Sequence, residues 1–172
     1  MSRISGGPIR SRRHRLNHQG DSQRPLGYNS GMLATGGGMN EETAVIRVLA
    51  DYYAAFSTLD VQAVLSYFHE PSVLIGPQGV LAAPTYAVLT TVFTPAMEGL
   101  RAKGFGRSEL SVRNLKSLSA TATLVTGVAV RYRVDGQEFE RVGVTYVLYK
   151  ADTRWKIAVL IIHDANEVAL DE

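Results

Sequence analysis

Apolar residues in the first half of the chain recur with the period of an α-helix. Four of them follow Asn40 at intervals of three or four positions: Val45, Leu49, Tyr52 and Phe56. Asn40 is a residue type that caps helix N-termini, and the Glu41-Glu42 pair after it suits the positive end of a helix dipole. The pattern therefore predicts a first helix with a single buried stripe.

Two further helices and a small hairpin are predicted downstream. Asp60 is expected to cap a short helix over residues 61–68, which Pro71 ends. Residues 73–75 and 80–82 form short predicted strands around the turn-forming residues 76–79. Pro84 suits the first turn of a third helix with Phe93 on its buried face, and a kink or a break is expected at Thr94 because a proline follows it.

Beyond residue 106 the apolar period becomes two, which is typical of strands. Residues 107–118, 121–134, 138–150 and 154–163 are predicted to form four strands, and their short connections require antiparallel neighbours. The last two segments are apolar on both faces, so we expect a sheet that is covered on both sides. With three helices on one face, the outer face is a candidate for contact with a partner subunit.

Charge is divided unevenly along the chain. The 172 residues carry a net charge of +2, but residues 1–40 hold six arginines and one acid, whereas the rest holds twelve basic and fifteen acidic residues. We expect a disordered basic tail over residues 1–39, a folded domain over residues 40–166 and a short C-terminal tail over residues 167–172. The basic tail is open to four interpretations: an arm for nucleic acid or an acidic partner, a transit peptide, a segment upstream of a true start at Met39, and an inert tail.

Several classes of function lose support at this stage. No apolar run approaches the length of a membrane span, no secretory signal is recognisable, and a cytoplasmic protein is expected. The chain has no cysteine, and its four histidines do not show metal-ligand spacing, so neither a metal nor another cofactor is predicted. Because the basicity belongs to the tail, we expect no nucleic-acid partner for the domain.

Local motifs accompany this order of elements. Residues 51–56 (DYYAAF), 67–72 (YFHEPS), 76–79 (GPQG) and 155–159 (WKIAV) together resemble the nuclear transport factor 2-like superfamily, in particular its SnoaL-like branch, over residues 41–164. The resemblance implies an α+β fold, a cone-shaped barrel with three helices packed on a curved, mainly antiparallel sheet. It also implies a pocket inside the cone, a homodimer formed through the outer sheet face, and functions that range from ketosteroid isomerase and polyketide cyclase to ligand binding.

The resemblance to ketosteroid isomerases indicates candidate catalytic residues. Tyr52 matches their pocket tyrosine, and Tyr146 falls at the position of the second oxyanion donor. The position of their general base is Gly76, which has no side chain to accept a proton, so His163 becomes the candidate base. His163 and Asp164 cannot both enter the pocket if their strand is regular. Tyr53 is expected to be a packing residue with its hydroxyl in water.

Three residues are candidates for ligand binding: Phe56, Phe93 and Arg131. The arginine alternatively pairs with an acid of the adjoining hairpin, such as Glu138 or Glu140. The leading prediction is a protein that binds a small, mostly apolar, oxygen-bearing metabolite in the cone. The alternatives are an isomerase, dehydratase or cyclase that uses Tyr52, Tyr146 and His163, and a module for dimerisation or scaffolding.

Overall fold

A computed structural model describes residues 40–167 of the chain. The predicted N-terminal tail over residues 1–39 lies outside the described residues, as do residues 168–172 of the C-terminal tail predicted over residues 167–172. The described part contains three α-helices, six strands and a final 3₁₀ turn. In chain order they are α1 (Glu41–Ser57), α2 (Val61–Leu65), β1 (Phe68–Gly76), β2 (Gly79–Ala83), α3 (Tyr86–Ala102), β3 (Phe105–Ser119), β4 (Ala122–Arg133), β5 (Glu138–Ala151), β6 (Arg154–His163) and the turn Ala165–Glu167.

The strands form one mixed, mostly antiparallel sheet in the order β2-β1-β6-β5-β4-β3. The pairing of β1 with β6 is parallel, and the other four pairings are antiparallel. The four long strands β3 to β6 were predicted to within a few residues at their ends. The α+β class and the curved sheet with three helices packed on it are therefore confirmed.

Helix α1 begins and packs as its sequence predicts. The Asn40 side chain accepts a hydrogen bond from the Glu42 amide at 3.2 Å, and it thereby caps the helix. All four residues of the predicted stripe are buried, and Tyr53 beside them is buried as well. The buried face of the helix is therefore wider than the single stripe that the sequence predicts, because it includes Tyr53.

The prediction for the second helix was wrong at its C-terminal end. Helix α2 stops at Leu65, and Phe68 already belongs to β1. The Tyr67 carbonyl accepts a hydrogen bond from the Ile157 amide at 2.8 Å, so pairing with β6 captures the chain before another helical turn forms. Pro71 lies inside β1 rather than after a helix, in the stretch between Phe68 and Val73 where the ladder to β6 is irregular.

Helix α3 is continuous from Tyr86 to Ala102, so the predicted split at Thr94 does not occur. Pro95 stands inside the helix and is exposed. Pro95 removes one helical hydrogen bond because it has no backbone N–H. Buried residues on both sides of it, including Phe93 and Met97, pack against the core and keep the helix continuous. At its N-terminus the Tyr86 amide donates to the Glu70 carboxylate of β1 at 2.6 Å.

The main core lies between the helices and the inner face of the sheet. On the outer face, Val128 and Val130 form a small second cluster with Tyr132 and Ala165. Dimerisation through this outer face stays a prediction. Within residues 40–167, no helix is both long and apolar enough to cross a membrane.

Candidate functional site

A cavity of about 280 Å³ lies between helices α1 and α3 and the inner face of the sheet. Its walls are mainly aliphatic and aromatic, and the exposed residues Pro95, Ala96 and Gly99 of α3 stand at its mouth. The volume is close to the lower end of the range for small-molecule sites. The lining residues are Tyr52, Tyr53, Phe56, Leu74, Val92, Phe93, Pro95, Ala96, Gly99, Leu100, Lys103, Ser108, Ala129, Arg131, Val142, Val144, Tyr146, Leu160 and Ile162.

Three tyrosines meet at the inner end of this cavity. The hydroxyls of Tyr53 and Tyr146 are 2.7 Å apart and share a hydrogen bond. The Tyr52 ring packs edge-on against both of the other rings, with centroid distances of 5.2 Å to Tyr53 and 6.3 Å to Tyr146. Within residues 40–167, the Tyr52 hydroxyl has no hydrogen-bond partner in the protein.

Tyr53 packs in the core as expected, but the prediction that its hydroxyl lies in water was wrong. Its side chain is 7% exposed, and its hydroxyl is the one that pairs with Tyr146. The sequence singled out Tyr52 because it fits the four-residue spacing of the stripe. Its neighbour is turned by about 100° around the helix, yet it also reaches the interior because the sheet curves around α1.

Burial keeps all three phenols neutral at ordinary pH. It raises the pKa of Tyr53 to about 12 and the pKa values of Tyr52 and Tyr146 further, while the Arg131 charge works in the opposite direction on each. A phenol that stays protonated donates a hydrogen bond and does not accept a proton. These residues are thus suited to hold a ligand oxygen and unsuited to act as general bases.

Arg131 and Ser108 form a second polar group in the cavity. They are register partners on β4 and β3, so their side chains share the inner face of the sheet. One terminal nitrogen of Arg131, Nη1, pairs with the Glu140 carboxylate. The Arg131 Nε and the Ser108 Oγ are both buried without a hydrogen-bond partner.

The predicted ligand-binding residues are brought together at this cavity. Phe56 and Phe93 belong to its wall, and the Arg131 guanidinium carbon lies 5.8 Å from the centroid of the Phe56 ring. Arg131 also forms a salt bridge with Glu140. This pairing was the alternative to ligand binding in the sequence analysis. Ser108 was missed at the sequence level, because a lone serine in an alternating strand gives no signal until the register places it opposite an arginine.

His163, the predicted base, does not reach the cavity. Its neighbour Ile162 lines the cavity, whereas His163 lies over Gly143 on the outer face. Its Nε2 is 3.0 Å from the Thr145 hydroxyl, and its Nδ1 is 2.9 Å from the Asp164 carbonyl oxygen. Because a carbonyl only accepts, Nδ1 carries the proton and Nε2 faces the hydroxyl. The structure thus separates His163 from Tyr52 and Tyr146.

Among residues 40–167, the cavity lining contains neither a carboxylate nor an imidazole. Across residues 40–167, no three acidic or histidine side chains are clustered in a way that would hold a metal ion. The titratable groups on the cavity wall are three neutral phenols and the cations Lys103 and Arg131. Such a set donates hydrogen bonds and offers no strong proton acceptor at neutral pH.

Solved structures with the same fold are similar to this chain at low sequence identity. An NTF2-like protein of unknown function from Shewanella oneidensis MR-1 is 21% identical, with 73% of this chain and 100% of that chain covered and a TM-score of 0.58. A putative calcium/calmodulin-dependent protein kinase II association domain from Xanthomonas campestris is 16% identical, with 76% and 91% covered and a TM-score of 0.59. A ketosteroid isomerase-like protein from Erwinia carotovora atroseptica SCRI1043 is 17% identical, with 73% and 97% covered and a TM-score of 0.52.

No match was found among curated protein sequences. The structural likenesses therefore establish the fold and leave the activity open, because one fold hosts many functions. A family model described as NTF2-like protein (DUF6841) matches residues 41–165, which cover both the sheet and the cavity. The chain belongs to this NTF2-like family, DUF6841.

Proposed function

We propose that this protein binds a small, mostly apolar, oxygen-bearing metabolite in the cavity and does not convert it. One observation carries the proposal: a mainly apolar cavity contains the Tyr53–Tyr146 hydroxyl pair and, among residues 40–167, no side chain that accepts a proton at neutral pH. An apolar wall with a few convergent polar groups is the usual composition of a small-molecule site. The hydroxyl pair would orient the ligand oxygen.

The enzymatic alternative has less support. An isomerase, dehydratase or cyclase that uses Tyr52 and Tyr146 as oxyanion donors needs a base within hydrogen-bond reach of the reacting proton. His163 was the candidate, and it lies on the outer face of the sheet with both ring nitrogens engaged. The scaffold alternative is also less favoured, because a cavity of about 280 Å³ remains beside the packed core.

Homodimerisation through the outer sheet face and a cytoplasmic location are parts of the same proposal. Two solved neighbours are described as putative kinase association domains, and the likeness to them supports association of this chain with a partner subunit. The outer face carries half-buried apolar residues, including Val147, Val159 and Ile161. A symmetric dimer would cover them with the same residues of a second copy.

Native mass spectrometry of protein purified from its natural host tests the proposal. The wild-type chain should carry a small molecule that is released on denaturation, and the protein itself should appear as a dimer. Gly99→Leu places a bulky side chain at the cavity mouth and should abolish the bound mass. Gly99→Ala is the matched control, because a Cβ at this position meets no atom within 4 Å and changes the helix propensity in the same direction.

Each outcome bears on the proposal. An empty wild-type protein, or a ligand that Gly99→Leu retains in full, would contradict binding in this cavity. A released molecule that returns unchanged after incubation with fresh protein supports binding without turnover. Its conversion to a second mass would support the enzymatic alternative instead.

A further inference from the structure

Arg131 and Ser108 are unusual in this cavity because their buried polar atoms lack partners. We infer that they bind a carboxylate, so that the metabolite is a small apolar carboxylic acid. The inference rests on the proposed function and specifies its ligand class. It derives from groups other than the tyrosine pair, on the neighbouring strands β3 and β4.

The two unpartnered groups lie side by side. Ser108 and Arg131 are directly opposite each other in the β3–β4 ladder, and residues in such positions on one face have Cβ atoms roughly 5 Å apart. Ser108 is 6% exposed, and both its Oγ and the Arg131 Nε are buried without a hydrogen-bond partner. A buried donor without a partner costs stability, and a bound ligand oxygen would remove that cost.

The Arg131 guanidinium is held in one orientation by Glu140. The Glu140 carboxylate takes Nη1, and within residues 40–167 the edge formed by Nε and Nη2 has no protein partner. This edge presents two parallel N–H donors, which match the two oxygens of a carboxylate. The Phe56 ring near the guanidinium restricts it further. The direction of this edge is thus fixed, and its two donors have the geometry that a planar, bidentate acceptor requires.

The charge of the cavity agrees with an anionic ligand. Among residues 40–167, two cations, Lys103 and Arg131, belong to the lining and no carboxylate does. The Glu140 carboxylate beside the lining offsets the charge of Arg131, so the positive charge of Lys103 remains. One hydroxyl of the Tyr53–Tyr146 pair donates to the other, so the pair has one proton left to donate to a ligand. Every polar group in the cavity is able to donate, and a carboxylate only accepts. The mainly aliphatic and aromatic remainder of the wall would enclose the apolar part of the acid.

The test compares acids with neutral molecules of the same shape. The probes are trans-cinnamate and octanoate, each paired with its primary amide, titrated into the full chain by isothermal calorimetry. We expect the acids to bind at millimolar concentration or better and the amides at least tenfold more weakly. In a parallel NMR titration, the Arg131 Nε–H signal should shift with the acids.

Variants assign the binding to the two residues. Arg131→Gln leaves Glu140 without its cation, so the double variant Arg131→Gln/Glu140→Gln is measured beside it, and circular dichroism establishes that both fold. We expect roughly tenfold to hundredfold weaker binding of the acids to both variants. Ser108→Ala should weaken binding about threefold to tenfold. Ser111→Ala is the matched control, because Ser111 lies exposed on the same strand and outside the cavity lining.

The outcomes separate this inference from the proposed function. Amides that bind as tightly as the acids, or acids whose affinity survives loss of the guanidinium, would overturn the carboxylate assignment while binding in the cavity stands. If neither acid binds, the carboxylate assignment is also overturned. The native mass spectrum then tests separately whether the cavity binds a ligand. A co-purified molecule without a carboxyl group would likewise overturn the carboxylate assignment while binding in the cavity stands.

Discussion

The Tyr53–Tyr146 hydrogen bond is the contact whose energy is most directly measurable. Tyr146→Phe removes one hydroxyl and leaves the other buried without its partner, at a cost of about 1–3 kcal/mol. Because the adjoining cavity of about 280 Å³ has room for water, we expect the lower half of that range, about 1–2 kcal/mol, for Tyr146→Phe and for Tyr53→Phe. The double variant leaves no orphaned hydroxyl, so its cost should be close to that of one single variant.

Urea unfolding provides the assay, and Trp155 provides the signal. It is the single tryptophan of the chain and is 5% exposed, so its fluorescence reports the loss of the core. The two singles and the double variant give a coupling free energy, which we expect to be about 1–2 kcal/mol. Tyr52→Phe is the control, since the Tyr52 hydroxyl has no protein partner within residues 40–167, and it should change the free energy of unfolding by less than about 0.5 kcal/mol. Costs of the two singles that simply add would refute the pairing.

Two further predictions concern pH and packing. Burial raises the pKa of Tyr53 to about 12 from its ordinary value of 10.0, so the folded state holds this proton more tightly. Its contribution to stability is complete below pH 10 and is lost as the pH rises through 12, in addition to the alkaline losses from Tyr52 and Tyr146. In urea unfolding across this range, the loss should therefore be smaller in Tyr53→Phe than in the wild type by roughly 3 kcal/mol, and equal losses would contradict the burial of this phenol. Gly143→Ala should cost about 1–3 kcal/mol in urea unfolding, because its Cβ would lie 2.4 Å from both the His163 ring and the Asp164 carbonyl oxygen; Gly76→Ala, whose Cβ meets no atom within 4 Å, is the control, and equal costs for the two would argue against the His163 packing.

Most of the fold was predictable because its local signals agree with its tertiary contacts. The Asn40 cap, the α1 stripe and the alternation of β3 to β6 each specify an element without reference to the rest of the chain. The errors lie where contacts with residues distant in the sequence determine the secondary structure. Residues 66–68 have helical spacing, but the β6 ladder takes Phe68, which is 0% exposed. Similarly, a buried face on each side of Pro95 outweighs its tendency to break α3.

The candidate site was predictable only in its large residues. Tyr52, Phe56, Phe93, Arg131 and Tyr146 were named from the sequence, and all five line the cavity. Their roles remain proposals. Tyr53 was misassigned because a helical stripe gives the centre of the buried face and not its width. Ser108 was recognised as a candidate only from its register with Arg131. Register depends on how two strands pair, so the sequence of either strand alone does not give it.

The position of His163 depends on one irregularity in β6. Trp155 and Ile157 are buried in the core, and in a regular strand their face would continue through residues 159 and 161 to His163. The pairing with β5 shifts between Val147 and Leu148, so that Ala158 has no partner of its own. Such a bulge reverses the alternation beyond it, and Leu160 and Ile162 therefore face the cavity. The same extra residue turns His163 outward, which deprives the cavity of its only candidate base and leaves hydrogen-bond donors as its chemistry.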